Sequence, residues 1–125
     1  MVYSKPLIVL IDEFSISAGD IFPSMLQDNR RGPLVGTRTN GAGGSVSGIL
    51  FGTYSEAIAG NTNTLVVRRD PIVTSDYPTA SYIENIGARA DITLDYMKRE
   101  NLMSGGRPFV DGFTNIMVEH IERSR

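Results

Sequence analysis

Two hydroxyls, Ser15 and Ser17, lie just after the apolar run Leu7-Ile8-Val9-Leu10-Ile11, inside the segment Phe14-Ser15-Ile16-Ser17-Ala18-Gly19-Asp20-Ile21. The run suits one buried strand and the segment after it suits a helix, so the serines stand where a strand hands over to a helix. A serine there has backbone N–H groups pointing past it and the positive end of a helix dipole behind it. Those are the surroundings a developing oxyanion needs. The same residues fit a plainer role, because Ser is a favoured helix N-cap, and eight residues alone do not separate a nucleophile from a cap.

The chain continues through Ile21-Phe22-Pro23-Ser24-Met25-Leu26-Gln27-Asp28-Asn29 into Leu34-Val35-Gly36-Thr37-Arg38-Thr39-Asn40-Gly41-Ala42-Gly43-Gly44. This block resembles the C-terminal processing (tail-specific) peptidases, the serine protease family that also contains the tricorn core protease. That family has a Ser-Ala-Ser-Ala-Ser-Glu type segment ending a strand, a Leu-Gln-Asp-Asn type helix end, and a Leu-Val-Gly-Glu-Arg-Thr-x-Gly type strand and loop. Gln27-Asp28-Asn29 and Leu34-Val35-Gly36 fall in register with it, and the family's nucleophile, the middle serine of its triplet, lands on Ser17.

One position departs from the Ser-Lys members. They carry a lysine just after the Thr-x-Gly of the loop, where this chain has Ala42, and the only lysines here are Lys5 and Lys98. Tricorn-like members instead use a serine with a histidine, a second serine and a glutamate, and their loop is glycine-rich, as Gly41-Ala42-Gly43-Gly44 is. Further on, Ile83-Glu84-Asn85-Ile86-Gly87-Ala88-Arg89-Ala90-Asp91-Ile92 is similar to the Glu-Asn-x-Gly-Val-x-Pro-Asp-Ile segment that holds their glutamate, with Ala90 in place of the usual proline. The resemblance therefore implies Ser17 as nucleophile and Glu84 as the group that orients the second serine and, through it, the histidine. Without it, Glu84 reads as a salt-bridging loop carboxylate. It also implies the Ala18 N–H as one oxyanion donor, with the second donor and the histidine in an upstream half.

The Gly41–Gly44 stretch has no Gly-Lys-Ser/Thr ending and no dinucleotide fingerprint, so a nucleotide cradle is not expected. Its bare backbone suits close approach to a bound peptide lying along the cleft as a strand. His120, the only histidine, falls late in a closing helix between Glu119 and Ile121, far from the motifs, and reads as a surface or partly packed residue. Asp12, Glu13 and Asp20 raise a metal site, but no histidine accompanies them and their spacing supplies too few ligands for a hard ion. Neither a metal nor a cofactor is expected.

At 125 residues, 41% apolar and 21% charged, the chain suits one globular domain. A formal net charge of −2 with mixed signs leaves no basic stripe for nucleic acid, and Arg30-Arg31 and Arg68-Arg69 read as solvated faces or strand ends rather than phosphate sites. The absence of cysteine excludes disulfides and thiol chemistry. The longest apolar run is too short for a membrane span of ~20 residues. No signal-peptide pattern opens the sequence, and the compartment, periplasmic or cytoplasmic, is left open.

Pro6 to Asp12 reads as a strand apolar on both faces, the mark of a central parallel strand that wants two neighbours. Asp20 to Asn29 reads as a helix with Pro23 in or near its first turn, and Pro33 to Thr37 as the next strand, making a parallel crossover unit. Val46–Phe51 and Thr64–Arg68 are further strand candidates, Asp70–Thr79 a loop, and Phe109–Arg123 a closing helix with Phe113, Ile116, Met117 and Ile121 on one face. The expected class is α/β. The resemblance adds a crotonase-like and ClpP-like layered core, of which residues 1–125 form the C-terminal part.

The expected partners are a peptide or protein substrate and the N-terminal half of the protease. A second copy is the other candidate to cover the open edge of the first strand. Two function classes follow: a serine endopeptidase working through an acyl-enzyme on Ser17, and a non-catalytic peptide- or small-ligand-binding module on the same fold.

Overall fold

The computed structural model describes residues 3–50, 52, 56–73 and 79–124. Strand β1 (Val9–Ile11) leads through a short loop into helix α1 (Ala18–Asp28) and back to strand β2 (Leu34–Gly36). β1 and β2 are parallel, with Val9 opposite Leu34 and Ile11 opposite Gly36. The short strand β7 (Ile92–Thr93) adds in parallel on the far side of β2, giving the order β1-β2-β7. β2 is the middle strand, not β1: Leu34 and Val35 are fully buried, whereas Leu10 on β1 is 44% exposed. Leu34 packs with Ile11 and Ala88, flanked by Val9 and Ala90.

Two antiparallel pairs complete the strand inventory. β3 (Val46–Leu50) pairs with β4 (Ile58–Thr62), and all five β3 residues are exposed, so the expected strand is present without a buried face. Phe51, the end of the expected strand, lies outside the described residues. β5 (Val67–Ile72) pairs with β6 (Ala80–Tyr82). Sequence pattern places that first strand at Thr64–Arg68 and a loop from Asp70. The strand instead runs on through Pro71, and a register shift between the Val67–Tyr82 and Ile72–Ala80 pairs absorbs the residue that cannot donate to the ladder. Residues 74–78 of the expected loop lie outside the described residues. Ile72, Ala80, Ile83 and Ile86 form a second core cluster with Val66.

Helix α2 (Arg99–Met103) and helix α3 (Arg107–Arg123) close the chain, separated by Gly105 and Gly106, both at positive φ. Tyr96, Phe109 and Phe113 meet edge to face, with ring centroids 6.0 and 5.6 Å apart. Phe113, Ile116, Met117 and Ile121 are half-buried, as their spacing predicts.

α1 begins two residues earlier than its apolar spacing suggests, which puts Pro23 in the second turn, where it removes one interior hydrogen bond. The helix ends with Arg30 at φ 51, its N–H bonded to the Gln27 carbonyl at 2.9 Å and that of Arg31 to the Leu26 carbonyl at 2.9 Å. These are the two bonds of a Schellman cap, formed here without the usual glycine.

The end of α1 is also where the chain is cross-tied. Arg68 is not on a solvated face: it is 7% exposed, its Nε lies 3.0 Å from both Asp28 carboxylate oxygens, and its Nη2 lies 2.7 Å from Oδ1. The same guanidinium donates to the Gln27 side-chain oxygen at 2.9 Å, while the Gln27 amide donates to the Arg89 carbonyl and the Asp91 carboxylate. Asp91 in turn accepts the Leu34 N–H at 2.8 Å. Gln27 and Asp28 thus hold α1, β5, β2 and the 89–91 segment together.

Burial pushes the Asp28 carboxyl up, but the Arg68 hydrogen bonds, the Arg69 N–H and both guanidinium charges outweigh it and hold Asp28 below the usual aspartate value. A depressed folded-state value stabilises the fold above the unfolded pKa of about 4, and that stabilisation is lost as pH falls through the folded value. Asp28→Ala should therefore destabilise the domain by on the order of 3 kcal/mol at pH 7, since Arg68 is left buried and unpaired. Thermal melts between pH 4 and pH 2 should fall more steeply for the native protein than for Asp28→Asn. Parallel pH profiles would show that the pair carries no linked stability.

Candidate active site

The loop after β1 sorts the two serines. Asp12 accepts the Phe14 N–H at 3.0 Å and the Ser15 hydroxyl at 3.1 Å, and the Asp12 N–H donates back to Ser15 Oγ at 3.3 Å. The Ser15 hydroxyl is thereby built into a turn, and so is the Asp12 carboxylate. Ser17 sits differently. It is exposed and occupies the N-cap position of α1.

Its backbone is at φ 59, ψ −113, a conformation that a residue with a Cβ adopts only at a cost of order 1–3 kcal/mol. Asp20 Oδ2 accepts the Ser17 N–H at 2.9 Å, the acidic half of a capping box. The outcome is a strained turn between β1 and α1 that leaves Ser17 exposed at the positive end of the helix. Ala18, the first helical residue, has an N–H that no helical carbonyl can reach.

Asp20 is fully buried and does more than hold Ser17. Oδ1 accepts the Gly41 N–H at 2.7 Å and Oδ2 accepts the Ala42 N–H at 3.0 Å. Sequence reasoning weighed this residue only as a metal ligand. The signal that finds it is the Ser17-x-x-Asp20 spacing, which is that of a capping box with aspartate in the acidic place. Among the described residues no group of three or more His, Cys, Asp or Glu could hold a metal ion.

The glycine-rich loop is fixed at both ends. A Cβ at Gly41, which has φ +87, would come within 2.9 Å of backbone atoms of Ile83, Ile86 and Gly87, so only glycine fits against that turn. Asn85 closes the contact by donating its N–H to the Gly41 carbonyl at 2.7 Å. At the other end Gly44 donates its N–H to Glu84 Oε2 at 3.2 Å. Added Cβ atoms at Gly43 and Gly44 would meet Ile83 Cδ1 at 2.7 Å and the Thr64 carbonyl oxygen at 2.1 Å, so the absence of side chains there serves the packing of the chain itself.

Glu84 is half-buried and pairs with no cation among the described residues; its carboxylate accepts from Gly44 and, at 3.4 Å, from the Thr62 hydroxyl of β4. The Ser17 turn, the Gly41–Gly44 loop and the Glu84 turn thus form one hydrogen-bonded unit. His120 lies elsewhere. It shares a surface cavity with Pro33, Ile92 and Ile116, at the N-terminal ends of β2 and β7, whereas Ser17 follows the C-terminal end of β1. The strands are parallel, so the two residues belong to opposite ends of the sheet.

Residues 1–93 match the model of peptidase family S41. A Chlamydia pneumoniae protein is 35% identical over 124 residues, covering 98% of this chain and 18% of the relative. A carboxyl-terminal-processing protease from Synechocystis is 30% identical over 82% of this chain and 25% of its own length. The structure of mature CPAF complexed with lactacystin superposes with a TM-score of 0.81 at 34% identity, over 97% of this chain and 22% of CPAF. The tricorn protease shares the fold, with a TM-score of 0.60 at 20% identity over 94% of this chain and 10% of its own. The chain spans about a fifth of the length of the first curated relatives it matches. With the family match covering residues 1–93, from β1 through the turn that carries Glu84 to β7, the chain belongs to peptidase family S41, the C-terminal processing proteases.

Proposed function

We propose that the protein containing this chain is a serine endopeptidase of the C-terminal processing type, closest to the tricorn-like branch, and that Ser17 is its nucleophile. One observation carries the assignment: of the two serines at the turn, Ser15 is consumed by Asp12, whereas the Ser17 hydroxyl is exposed at a strained helix start. Strain of that kind persists where function uses it. In the acylation step Ser17 Oγ attacks the substrate carbonyl and its proton passes to a general base. The tetrahedral oxyanion is met by the Ala18 N–H, and the peptide amine leaves with the base's proton, giving the acyl-enzyme that water hydrolyses.

The base and the second oxyanion donor would come from an upstream half, for which the chain's share of its relatives' length leaves room. The residues here would form the C-terminal part of a protease core with crotonase-like layering. The half-exposed Leu10 edge of β1 would take the next strand of that half. Glu84 would orient the hydroxyl-to-histidine relay, and the Gly41–Gly44 loop would border the bound peptide. With one oxyanion donor and no nearby base, residues 1–125 alone would be inert.

Ser17→Ala in the full-length protein should reduce peptide turnover to background, while Ser15→Ala keeps most of it. Retained turnover in the Ser17 variant would end the assignment. Glu84→Gln keeps an oxygen for the Gly44 N–H and turns an NH2 toward the Thr62 hydroxyl, which can accept it, so kcat should drop ~10²-fold or more with the melting temperature nearly unchanged. A large loss of stability with kcat intact would make Glu84 a brace and not an orienting group.

A further inference from the structure

We infer that Asp20 is the positioning residue that sets the Ser17 nucleophile against the turn bearing Glu84, an inference that rests on the peptidase reading of Ser17. The Asp20 side chain is fully buried, and among the described residues none of the ion pairs includes it. A buried carboxylate must be met by hydrogen bonds, and here three backbone N–H groups meet it, from Ser17, Gly41 and Ala42, at the positive end of α1. Capping the helix would need only the first of these.

The sharing of one atom gives the arrangement its consequence. Oδ2 accepts both the Ser17 and the Ala42 N–H, so the backbone of the nucleophile and the backbone of the loop are fixed to the same oxygen. The adjacent Gly41, held by Oδ1, is wedged against backbone atoms of residues 83–87 and accepts the Asn85 N–H. A short covalent and hydrogen-bonded path therefore runs from Ser17 through Asp20 and Gly41 to the residue beside Glu84. Displacement of the loop moves Oδ2 and, with it, the torsion that aims Ser17.

Asp20→Asn is the informative change, because it keeps the shape and replaces one accepting oxygen with an NH2 that faces backbone donors. In the full-length protein, active sites are counted by the acylation burst and kcat is expressed per active site. We expect kcat ~10²-fold lower with KM within about threefold, as when an interaction specific to the transition state is lost. A variant with fewer active molecules but native kcat per site overturns the proposal and makes Asp20 a folding element.

Amide hydrogen exchange supplies a readout that needs no turnover and can be taken equally in a Ser17→Ala background. Protection should fall selectively at Ser17, Gly41 and Ala42 while the rest of α1 keeps it; unchanged protection at those three amides, or uniform loss along α1, overturns it. Turnover that survives Ser17→Ala would instead count against Ser17 as nucleophile, so the two failures are separable.

Discussion

A residue with a Cβ held at φ 59 is the constraint around which this structure is arranged. Such a backbone stays in place only when its surroundings over-determine it. Here the determinants are the Asp20 carboxylate on the Ser17 N–H, the tight Asp12–Ser15 turn before it, and the start of α1 after it. Because Asp20 is buried, its carboxylate is met by two more N–H groups, and the glycine-rich loop is drawn onto the Ser17 turn. The geometry of the Ser17 turn and the satisfaction of one buried carboxylate are thus the same set of hydrogen bonds.

The other end of α1 explains why the turn can bear strain. Asp28, paired with Arg68, and Gln27, bonded to the Arg89 carbonyl and Asp91, anchor the helix to β5 and to the segment entering β7. Gly36, at φ +140, lets β2 approach the end of β1 so closely that a Cβ would sit 1.9 Å from the Ile11 carbonyl oxygen. With the C-terminus of α1 and the β1–β2 pair both fixed, the Ser17 turn has little room to relax.

Much of this was legible in the residues themselves. An unbroken apolar run, two serines and a helix with glycine-rich sequence beyond it announce β1, α1, β2 and the loop, because each rests on local pattern. The pattern of Ile58-Ala59-Gly60-Asn61-Thr62 announces nothing: β4 exists because its backbone pairs with β3, and its residues carry little strand preference of their own. β6 and β7 are three and two residues long and owe their form to neighbours distant in sequence. Arg68 gave no sign of its burial, since its partner lies 40 residues away. Family resemblance located Ser17 and Glu84, but the role of Asp20 was hidden because two of its partners are backbone groups 21 and 22 residues downstream, where side-chain identity is silent.

The most direct measurement on the nucleophile is mass-spectrometric mapping of the full-length protein after reaction with a fluorophosphonate. An exposed hydroxyl activated by a general base should give one phosphonate adduct per chain, on Ser17, while Ser15, bonded to Asp12, stays unmodified. An adduct on Ser15 or another serine, or full peptidase turnover with no adduct at Ser17, would contradict the assignment of Ser17 as the attacking residue.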